Sequence, residues 1–295
     1  MSSPPTNDPG SIHSDFQRAW VSEQVAAKVK ISEVLTKPWA TIMIQESGIT
    51  SSKDAAYALD LACGTGVITA TLYELLPPKE WQRVKVMGSD VNESMLSQLK
   101  KRGEASGWPG IETKVMSGLD PSLPSNTFTH IFINMGVYIV PADTLALAFN
   151  KLRPGGFVGI SSLAAIPWHS WVSLAVSRLR NPPSMPSYEE ILQKMYAGQP
   201  WGETKYIKKV LGEVGFNRVQ VEEEKRRSSG TPEECLEMLH MPIVFVSAWW
   251  PEERRAELVN RVKEELLKIF IEKSEDGQVW VEMDGRVGCA WKASV

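Results

Sequence analysis

Two aspartates and a group of small residues have the types and spacing needed to bind a nucleoside. Asp60 is followed by Ala62, Gly64 and Gly66 in a short turn, and Asp90 lies 24 residues beyond Gly66. Glycines let the backbone approach a ligand closely because no Cβ stands in the way. A carboxylate at Asp90 can accept hydrogen bonds from two adjacent ribose hydroxyls. Together these residues indicate an adenosine-containing ligand, although each aspartate could instead cap the turn or helix that follows it.

The residues after Gly66 argue against two common phosphate-binding motifs. A dinucleotide fingerprint needs a third glycine where this chain has Thr69. A P-loop would end in Gly-Lys-Ser or Gly-Lys-Thr, and this turn does not. The turn therefore indicates neither a dinucleotide site nor a P-loop.

The segments that must position these residues alternate between apolar runs and amphipathic stretches over residues 55–165. This alternation is typical of βα units and a parallel sheet. Ligands of such sheets bind at the carboxyl ends of the strands, which is where both aspartates fall. The predicted strands are Tyr57–Leu61, Val84–Gly88, Ile111–Met116, Phe128–Asn134 and Phe157–Leu163, and the predicted helices are Thr65–Leu76, Asn92–Glu104 and Ala142–Leu152.

The second half of the chain has a different pattern. Two further strands, Arg218–Glu222 and Arg286–Lys292, are predicted to complete an open parallel sheet, with helices over Glu233–Phe245 and Glu252–Phe270 inserted between them. We interpret the insertion as a lid, and a helical segment over Phe16–Gly48 as further cover. The predicted divisions are a disordered leader (1–14), a helical N-terminal cover (15–54), the ligand-binding core (55–165), a substrate-side segment with the end of the core sheet (166–230), an inserted helical lid (231–285) and the last strand (286–295).

A Leu-Arg-Pro-Gly-Gly segment, Leu152–Gly156, precedes the fifth predicted strand. Together with Leu59–Gly66 and Asp90, it resembles the class I methyltransferases that use S-adenosylmethionine (SAM). The stretches Trp108–Phe132 and Trp201–Phe216 are similar to a subfamily of fungal small-molecule methyltransferases that includes gliotoxin bis-thiomethyltransferase. The resemblance implies an α/β, Rossmann-like class I methyltransferase sheet, SAM as the cofactor, a small-molecule substrate and a role in fungal secondary metabolism.

The same resemblance implies a role for each matching residue. Asp60 and the backbone of the turn would hold the methionine part of SAM, Asp90 the ribose, and Asn134 would face the sulfonium and amino group. Many relatives carry Asp where Ser117 stands, so either the main chain or Asp120 could bind adenine N6. The implied cofactor residues are Asp60, Ala62, Gly64, Gly66, Asp90, Val91, Met95, Ser117, Gly118, Leu119 and Asn134, with Val91 and Met95 near the adenine and Ser117, Gly118 and Leu119 along its edge.

Composition and charge narrow the class of partner. A formal net charge of -3 provides no basic surface for a nucleic acid. The apolar runs are too short to cross a bilayer, and three widely spaced cysteines indicate neither a disulfide framework nor a zinc site. We therefore expect a cytoplasmic protein that acts on a small molecule, without nucleic acid, membrane or metal.

The expected chemistry is an in-line displacement at a sulfonium, which depends on alignment and exclusion of water. His169 is the candidate base, although it could instead be a surface or packed histidine. Trp168 and Trp171 are candidate substrate contacts, although both could equally be packed core residues. A thiol, with a pKa of about 8.5, needs less help from a base than a phenol or an alcohol. We therefore expect S-methylation first, then N- and O-methylation. The alternative is a methyltransferase-fold protein that binds SAM but catalyses another reaction or only binds.

Overall fold

The computed structural model describes residues 23–294, with side chains from residue 32 onward. In this part of the chain it shows seven strands and ten α-helices, together with a short 3-10 helix over Pro78–Arg83. The strands are β1 (Ala56–Leu61), β2 (Val84–Asp90), β3 (Ile111–Val115), β4 (Phe128–Ile133), β5 (Leu152–Leu163), β6 (Arg218–Gly230) and β7 (Val279–Trp291). The helices are α1 (Glu23–Glu46), α2 (Val67–Leu75), α3 (Glu93–Ser106), α4 (Thr144–Lys151), α5 (His169–Ser177), α6 (Tyr188–Met195), α7 (Thr204–Val214), α8 (Pro232–Met238), α9 (His240–Ser247) and α10 (Glu252–Lys273).

Two compact units divide the chain. We call them the sheet unit and the helical unit. Among the described residues, the sheet unit comprises 33–165, 200–226 and 283–294, and the helical unit comprises 23–32, 166–199 and 227–282.

The strands form one sheet in the order β3-β2-β1-β4-β5-β7-β6. β1 pairs in parallel with β2 and with β4, and the pairs β2–β3 and β4–β5 are also parallel. β7 runs antiparallel to β5, with Phe157 opposite Trp291 and Leu163 opposite Gly285. The prediction of a wholly parallel sheet is therefore wrong here, and the sheet is mixed. Antiparallel neighbours need no helical crossover packed on a face of the sheet, and the helices between β6 and β7 belong to the helical unit.

Local signals set the element boundaries in the sheet unit. β1 is buried at five of its six residues and β4 at four of its six, and most of these are apolar, as expected for strands covered on both faces. α3 begins after Asn92, whose side chain accepts a hydrogen bond from the backbone N–H of Ser94 at 2.8 Å, and it ends at Gly107 in the left-handed conformation. β5 starts at Leu152, five residues earlier than predicted, because its first residues pair with the start of β4 and with the C-terminal segment. Leu152 lies opposite Phe128, and Gly155 N–H donates to the Lys292 carbonyl.

The helical unit has an apolar core of its own. α5, α8 and α9 pack against α10, and the side chains buried there include Val172, Leu266 and Phe270. The helix predicted over residues 233–245 is two helices, α8 and α9, which meet at Leu239. Pro242 explains the break, because it has no N–H to donate to the Met238 carbonyl of a continuous helix.

The structure describes only part of the two predicted N-terminal segments. The leader (1–14) and the start of the helical cover, up to residue 22, lie outside the described residues. From residue 33, α1 belongs to the sheet unit and buries Trp39, Met43 and Ile44. Both lid roles, for α1 and for residues 231–285, stay predictions. None of the helices in the described part of the chain combines the length and apolar character needed to span a bilayer.

Candidate cofactor site

The turn after β1 places three left-handed residues within five positions. Ala62 has φ 54°, Gly64 φ 53° and Gly66 φ 88°. At Gly66 a Cβ would lie 2.4 Å from Leu99 Cδ1 of α3, so glycine is needed there both for its conformation and for close packing. Ala62 adopts its conformation at a cost of about 1–2 kcal/mol. The turn lies between β2 and β4, where the strand order reverses and open sheets of this kind bind ligands.

Asp60 is buried at the end of β1, and its Oδ2 accepts hydrogen bonds from Thr69 N–H at 3.1 Å and from the Thr69 hydroxyl at 2.7 Å. Thr69 is in the first turn of α2, so the carboxyl does tie down the helix start, as the capping interpretation expects. Burial, with a smaller contribution from the carboxylates of Asp90 and Glu33, raises the pKa of Asp60 to about 7. A cation at this position would reverse that shift.

Asp90 is buried at the end of β2 and connects two backbone segments. Its Oδ2 accepts from Gly64 N–H at 2.9 Å and its Oδ1 from Asn92 N–H at 3.0 Å. Asn92, not Asp90, is the N-cap of α3. The interpretation of Asp90 as a helix cap is therefore wrong, and its carboxylate instead fastens the glycine turn to the end of the neighbouring strand.

The residues predicted near the adenine lie after β2 and β3. Val91 is 40% exposed, although it is a large apolar side chain, while Met95 is completely buried in α3. Ser117 is exposed. Gly118 has φ 66°, and a Cβ there would lie 2.7 Å from Pro141. Leu119 is buried beside it.

Asp120 lies next in this loop. Its carboxylate accepts from Lys114 Nζ and from Ser122 N–H, at 2.7 and 2.8 Å. These bonds hold the pKa of Asp120 well below its usual range, and they tie its carboxylate to its own loop.

Asn134 follows β4 and joins three segments. Its Oδ1 accepts from the Ser161 hydroxyl of β5 at 2.8 Å, and its Nδ2 donates to the Thr36 carbonyl of α1 at 3.3 Å. The Ser161 oxygen in turn accepts from Met135 N–H at 2.8 Å. The structure thus brings the ends of β1, β2, β3 and β4 together in the sheet unit, with every one of the predicted cofactor residues on them or on the loops and helix that follow.

The three remaining predicted residues belong to the helical unit. His169 is the first residue of α5; its ring packs edge-on against Tyr188 at 5.5 Å, and its Nε2 lies 3.5 Å from the Ser173 hydroxyl. Trp171 packs edge-on against Phe270 at 5.4 Å, and Trp168 packs against the same apolar core. Both indoles thus contribute to packing, and their substrate roles stay predictions.

Cys63, inside the turn, is a packed residue, as expected. It lies in a small apolar cluster with Leu96 and Leu99, and burial raises the pKa of its thiol well above the usual value. Within residues 32–294, no group of His, Cys, Asp and Glu side chains is arranged to hold a metal ion.

Sequence reasoning missed Glu33 of α1, as it missed the partners of Asn134, Ser161 and Thr36. The Glu33 carboxylate accepts a hydrogen bond from the Thr65 hydroxyl in the glycine turn and pairs with Arg102 of α3 at 2.9 Å. Glu33 is 32 residues from Thr65 and 69 from Arg102 along the chain. No local pattern marks it, because only the packing of α1 on the sheet brings these residues together.

Comparison with known proteins agrees with this geometry. Residues 58–156, which contain the turn and both aspartates, match the family model described as a methyltransferase domain. The chain is 28% identical over 248 residues to acetylaranotin bis-thiomethyltransferase of Aspergillus terreus, which covers 82% of this chain and 84% of the relative. It is 27% identical over 244 residues to methyltransferase tpcH of Aspergillus fumigatus, covering 81% of this chain and 84% of the relative.

Among solved structures, phosphoethanolamine N-methyltransferase 2 of Haemonchus contortus is similar in fold, with a TM-score of 0.54 at 14% identity. That structure contains S-adenosylhomocysteine, and a second structure of the same enzyme, with a TM-score of 0.54 at 15% identity, contains SAM. The match covers 96% of this chain, which spans 60% of that enzyme's chain. Family match, relatives and fold agree: the chain contains a methyltransferase domain over residues 58–156, and its fold is similar to that of a methyltransferase solved with SAM.

Proposed function

We propose that the chain transfers the methyl group of SAM to a thiol of a small hydrophobic molecule, in fungal secondary metabolism. The observation that carries this proposal is the 28% identity, over 82% of the chain, with a bis-thiomethyltransferase. N-methylation is the second candidate acceptor chemistry and O-methylation the third.

We propose that SAM binds on the turn after β1. Asp60 and the backbone of Ala62, Gly64 and Gly66 hold the methionine part, and Asp90 holds the ribose. The partly exposed Val91 offers an apolar contact for the adenine, with Met95 behind it, and Ser117, Gly118 and Leu119 line its edge. Asn134 faces the sulfonium and amino group.

The positive charge of SAM supports its proposed binding beside the carboxylates near the turn after β1. SAM carries a sulfonium and an ammonium against one carboxylate, so it is a cation at neutral pH. Burial, together with the nearby carboxylates of Asp90 and Glu33, raises the pKa of Asp60 to about 7. A bound cation relieves both the repulsion among these carboxylates and the cost of ionising Asp60.

The charge change of the reaction favours a thiol. A thiolate that attacks the sulfonium carbon forms a C–S bond while the methyl–sulfonium bond breaks, giving a thioether and neutral S-adenosylhomocysteine sulfur. Opposite charges disappear in this step, and a pocket of low dielectric favours their disappearance. The polar side chains at the described strand ends, Asp60, Asp90 and Asn134, already have hydrogen-bond partners in the protein. A nucleophile that ionises near neutral pH suits such a site best.

A panel of hydrophobic thiols, amines and phenols with labelled SAM tests the proposal. S-adenosylhomocysteine and the labelled product are both measured, on wild type, His169→Ala and the matched control His240→Ala. We expect thiols to be methylated fastest and both histidine variants to retain thiol activity. Phenol methylation that exceeds thiol methylation and is lost only in His169→Ala would overturn the ranking and make His169 the general base.

A further inference from the structure

Glu33 connects three elements around the glycine turn. Its Oε1 accepts from the Thr65 hydroxyl, and Nη1 of Arg102 donates to both of its carboxylate oxygens, at 3.1 and 2.9 Å. The side chains of Glu33 and Arg102 are only 15% and 24% exposed. Charge-assisted hydrogen bonds in such a partly desolvated setting are stronger than those on an open surface.

Arg102 is held from its other side as well. Its guanidinium lies 5.7 Å from the ring centroid of Trp108, and Trp108 stacks on Tyr73 of α2 with the ring centroids 5.1 Å apart and the planes nearly parallel. Arg102 is therefore a fixed anchor for Glu33. The Thr65 hydroxyl is thus held by a carboxylate whose own position is set by α1 and α3.

A second connection lies one turn further along α1. The Thr36 carbonyl accepts from Asn134 Nδ2 after β4. Beyond it, Trp39 and Met43 are buried, so this half of α1 is part of the packed sheet unit. The helix thereby holds the turn after β1 and the turn after β4 at adjacent positions.

We propose that Glu33 is a positioning residue for the cofactor: through Thr65 and Arg102 it holds the glycine turn in its binding conformation before SAM arrives. This inference rests on the proposed binding of SAM by residues 60–66. A turn with three left-handed residues needs surrounding contacts to persist, and a site that is already ordered loses less entropy on binding. The contribution of Glu33 to the raised pKa of Asp60 is consistent with its closeness to the turn.

The test measures SAM affinity by calorimetry, together with the KM for SAM, kcat and Tm. Glu33→Gln keeps an acceptor for Thr65 but loses the charge, and we expect it to weaken SAM binding about tenfold. The KM for SAM should rise in parallel, while kcat at saturating SAM changes less than about twofold, because the chemical step itself is untouched. Thr65→Val removes the same contact from the other side, and the double variant Glu33→Gln/Thr65→Val should bind SAM no more weakly than the worse single variant.

The ion pair between Lys37 and Glu74 provides a matched control. It also connects α1 to α2, but its side chains are 48% and 46% exposed. Lys37→Ala should leave SAM affinity unchanged, because exposed pairs contribute little.

Three results would count against the proposal. If wild type binds SAM and Glu33→Gln binds it equally well with only a lower Tm, Glu33 has a structural role and the positioning role is wrong. If Glu33→Gln does not fold, Thr65→Val decides: wild-type affinity in that variant overturns the proposal. If wild type itself does not bind SAM, the cofactor assignment of residues 60–66 fails, and this inference fails with it.

Discussion

The two units of the molecule differ in what they bury. Among the described residues, the buried polar and charged side chains outside the helical unit include both aspartates, Asn92, Lys151 and the serines of β5, whereas in the helical unit Ser247 is the one such residue. The helical core consists otherwise of side chains such as Val172, Leu266 and Phe270. A buried polar group is costly unless it is hydrogen-bonded.

The difference is consistent with the proposed cofactor site in the sheet unit. In the sheet unit the cost of burial is offset by a connected set of bonds: Asp60 to Thr69, Asp90 to Gly64, and Asn134 to Ser161. Such a set suits a charged, polar cofactor. The apolar helical unit instead has the composition that would give shape to a hydrophobic substrate site, with few groups able to take part in a reaction.

The largest expected effect is a loss of stability caused by a substitution in the core of the helical unit. Phe270→Ala should lower the free energy of unfolding by about 3–5 kcal/mol, because it removes a buried ring that packs on Trp171. Urea denaturation followed by tryptophan fluorescence measures this. The affinity for SAM should change less than about twofold under folding conditions, because the proposed cofactor residues all lie in the sheet unit. Ile271→Ala, at a neighbouring position that is 55% exposed, is the control and should change stability by less than about 0.5 kcal/mol.

Asp90→Ala should have the next largest effect, on the other unit. Hydrogen bonds to a charged acceptor contribute roughly 1.5–3 kcal/mol each, so we expect SAM binding to weaken by more than about tenfold in calorimetry. The control is Asn92→Ala, which removes the cap of α3 and should cost about 1 kcal/mol of stability without changing SAM affinity. A folded Asp90→Ala protein with wild-type affinity would show that the ribose assignment is wrong.

The buried carboxyl of Asp60 makes the sheet unit sensitive to pH. Its pKa rises from 3.8 to about 7 on folding, so between these values the folded state binds more protons than the unfolded state. The contribution of Asp60 to stability is therefore complete below pH 4. It falls as the pH rises towards 7, and above that pH the stability no longer changes because of this group. Between pH 5 and pH 8 we expect a loss of roughly 2–3 kcal/mol in the apo protein from this group. Denaturation of wild type and Asp60→Asn at both pH values tests this, and equal pH dependence in the two proteins would contradict it.

The smallest expected effect compares two alanines in the left-handed conformation, one in each unit. Ala62 in the glycine turn has φ 54°, and Ala197 after α6 has φ 49°. Replacing either with glycine relieves strain but increases the entropy of the unfolded chain, so each should stabilise the protein by less than about 1 kcal/mol. Only Ala62→Gly should alter SAM affinity, by a few-fold. The same change in SAM affinity for Ala197→Gly would remove the distinction between the two sites.

The sequence by itself determined the first five strands of the sheet unit and the positions of the proposed cofactor residues on them. Apolar runs with helical segments between them predict β1 to β5 to within a few residues at most ends, and the same patterns place Asp60, Gly64 and Asp90 at or just after strand ends. These features are local: burial on both faces makes a strand continuously apolar, and a left-handed turn favours glycine. Both signals can be recognised within a short stretch of chain.

Only the tertiary structure decided the direction of β7 and the contacts of Glu33. Hydrophobic periodicity is the same for either direction of a strand, so the sequence left the direction of β7 open. Pro242 marks the break between α8 and α9 locally, although the apolar pattern around it continues through the break. Glu33, Thr65 and Arg102 meet only because α1 packs on the sheet, and a carboxylate on a helix face has the same local pattern whether it faces solvent or a binding turn. Contacts between residues far apart in the chain leave no periodic signal, and for that reason this part of the site had to come from the fold.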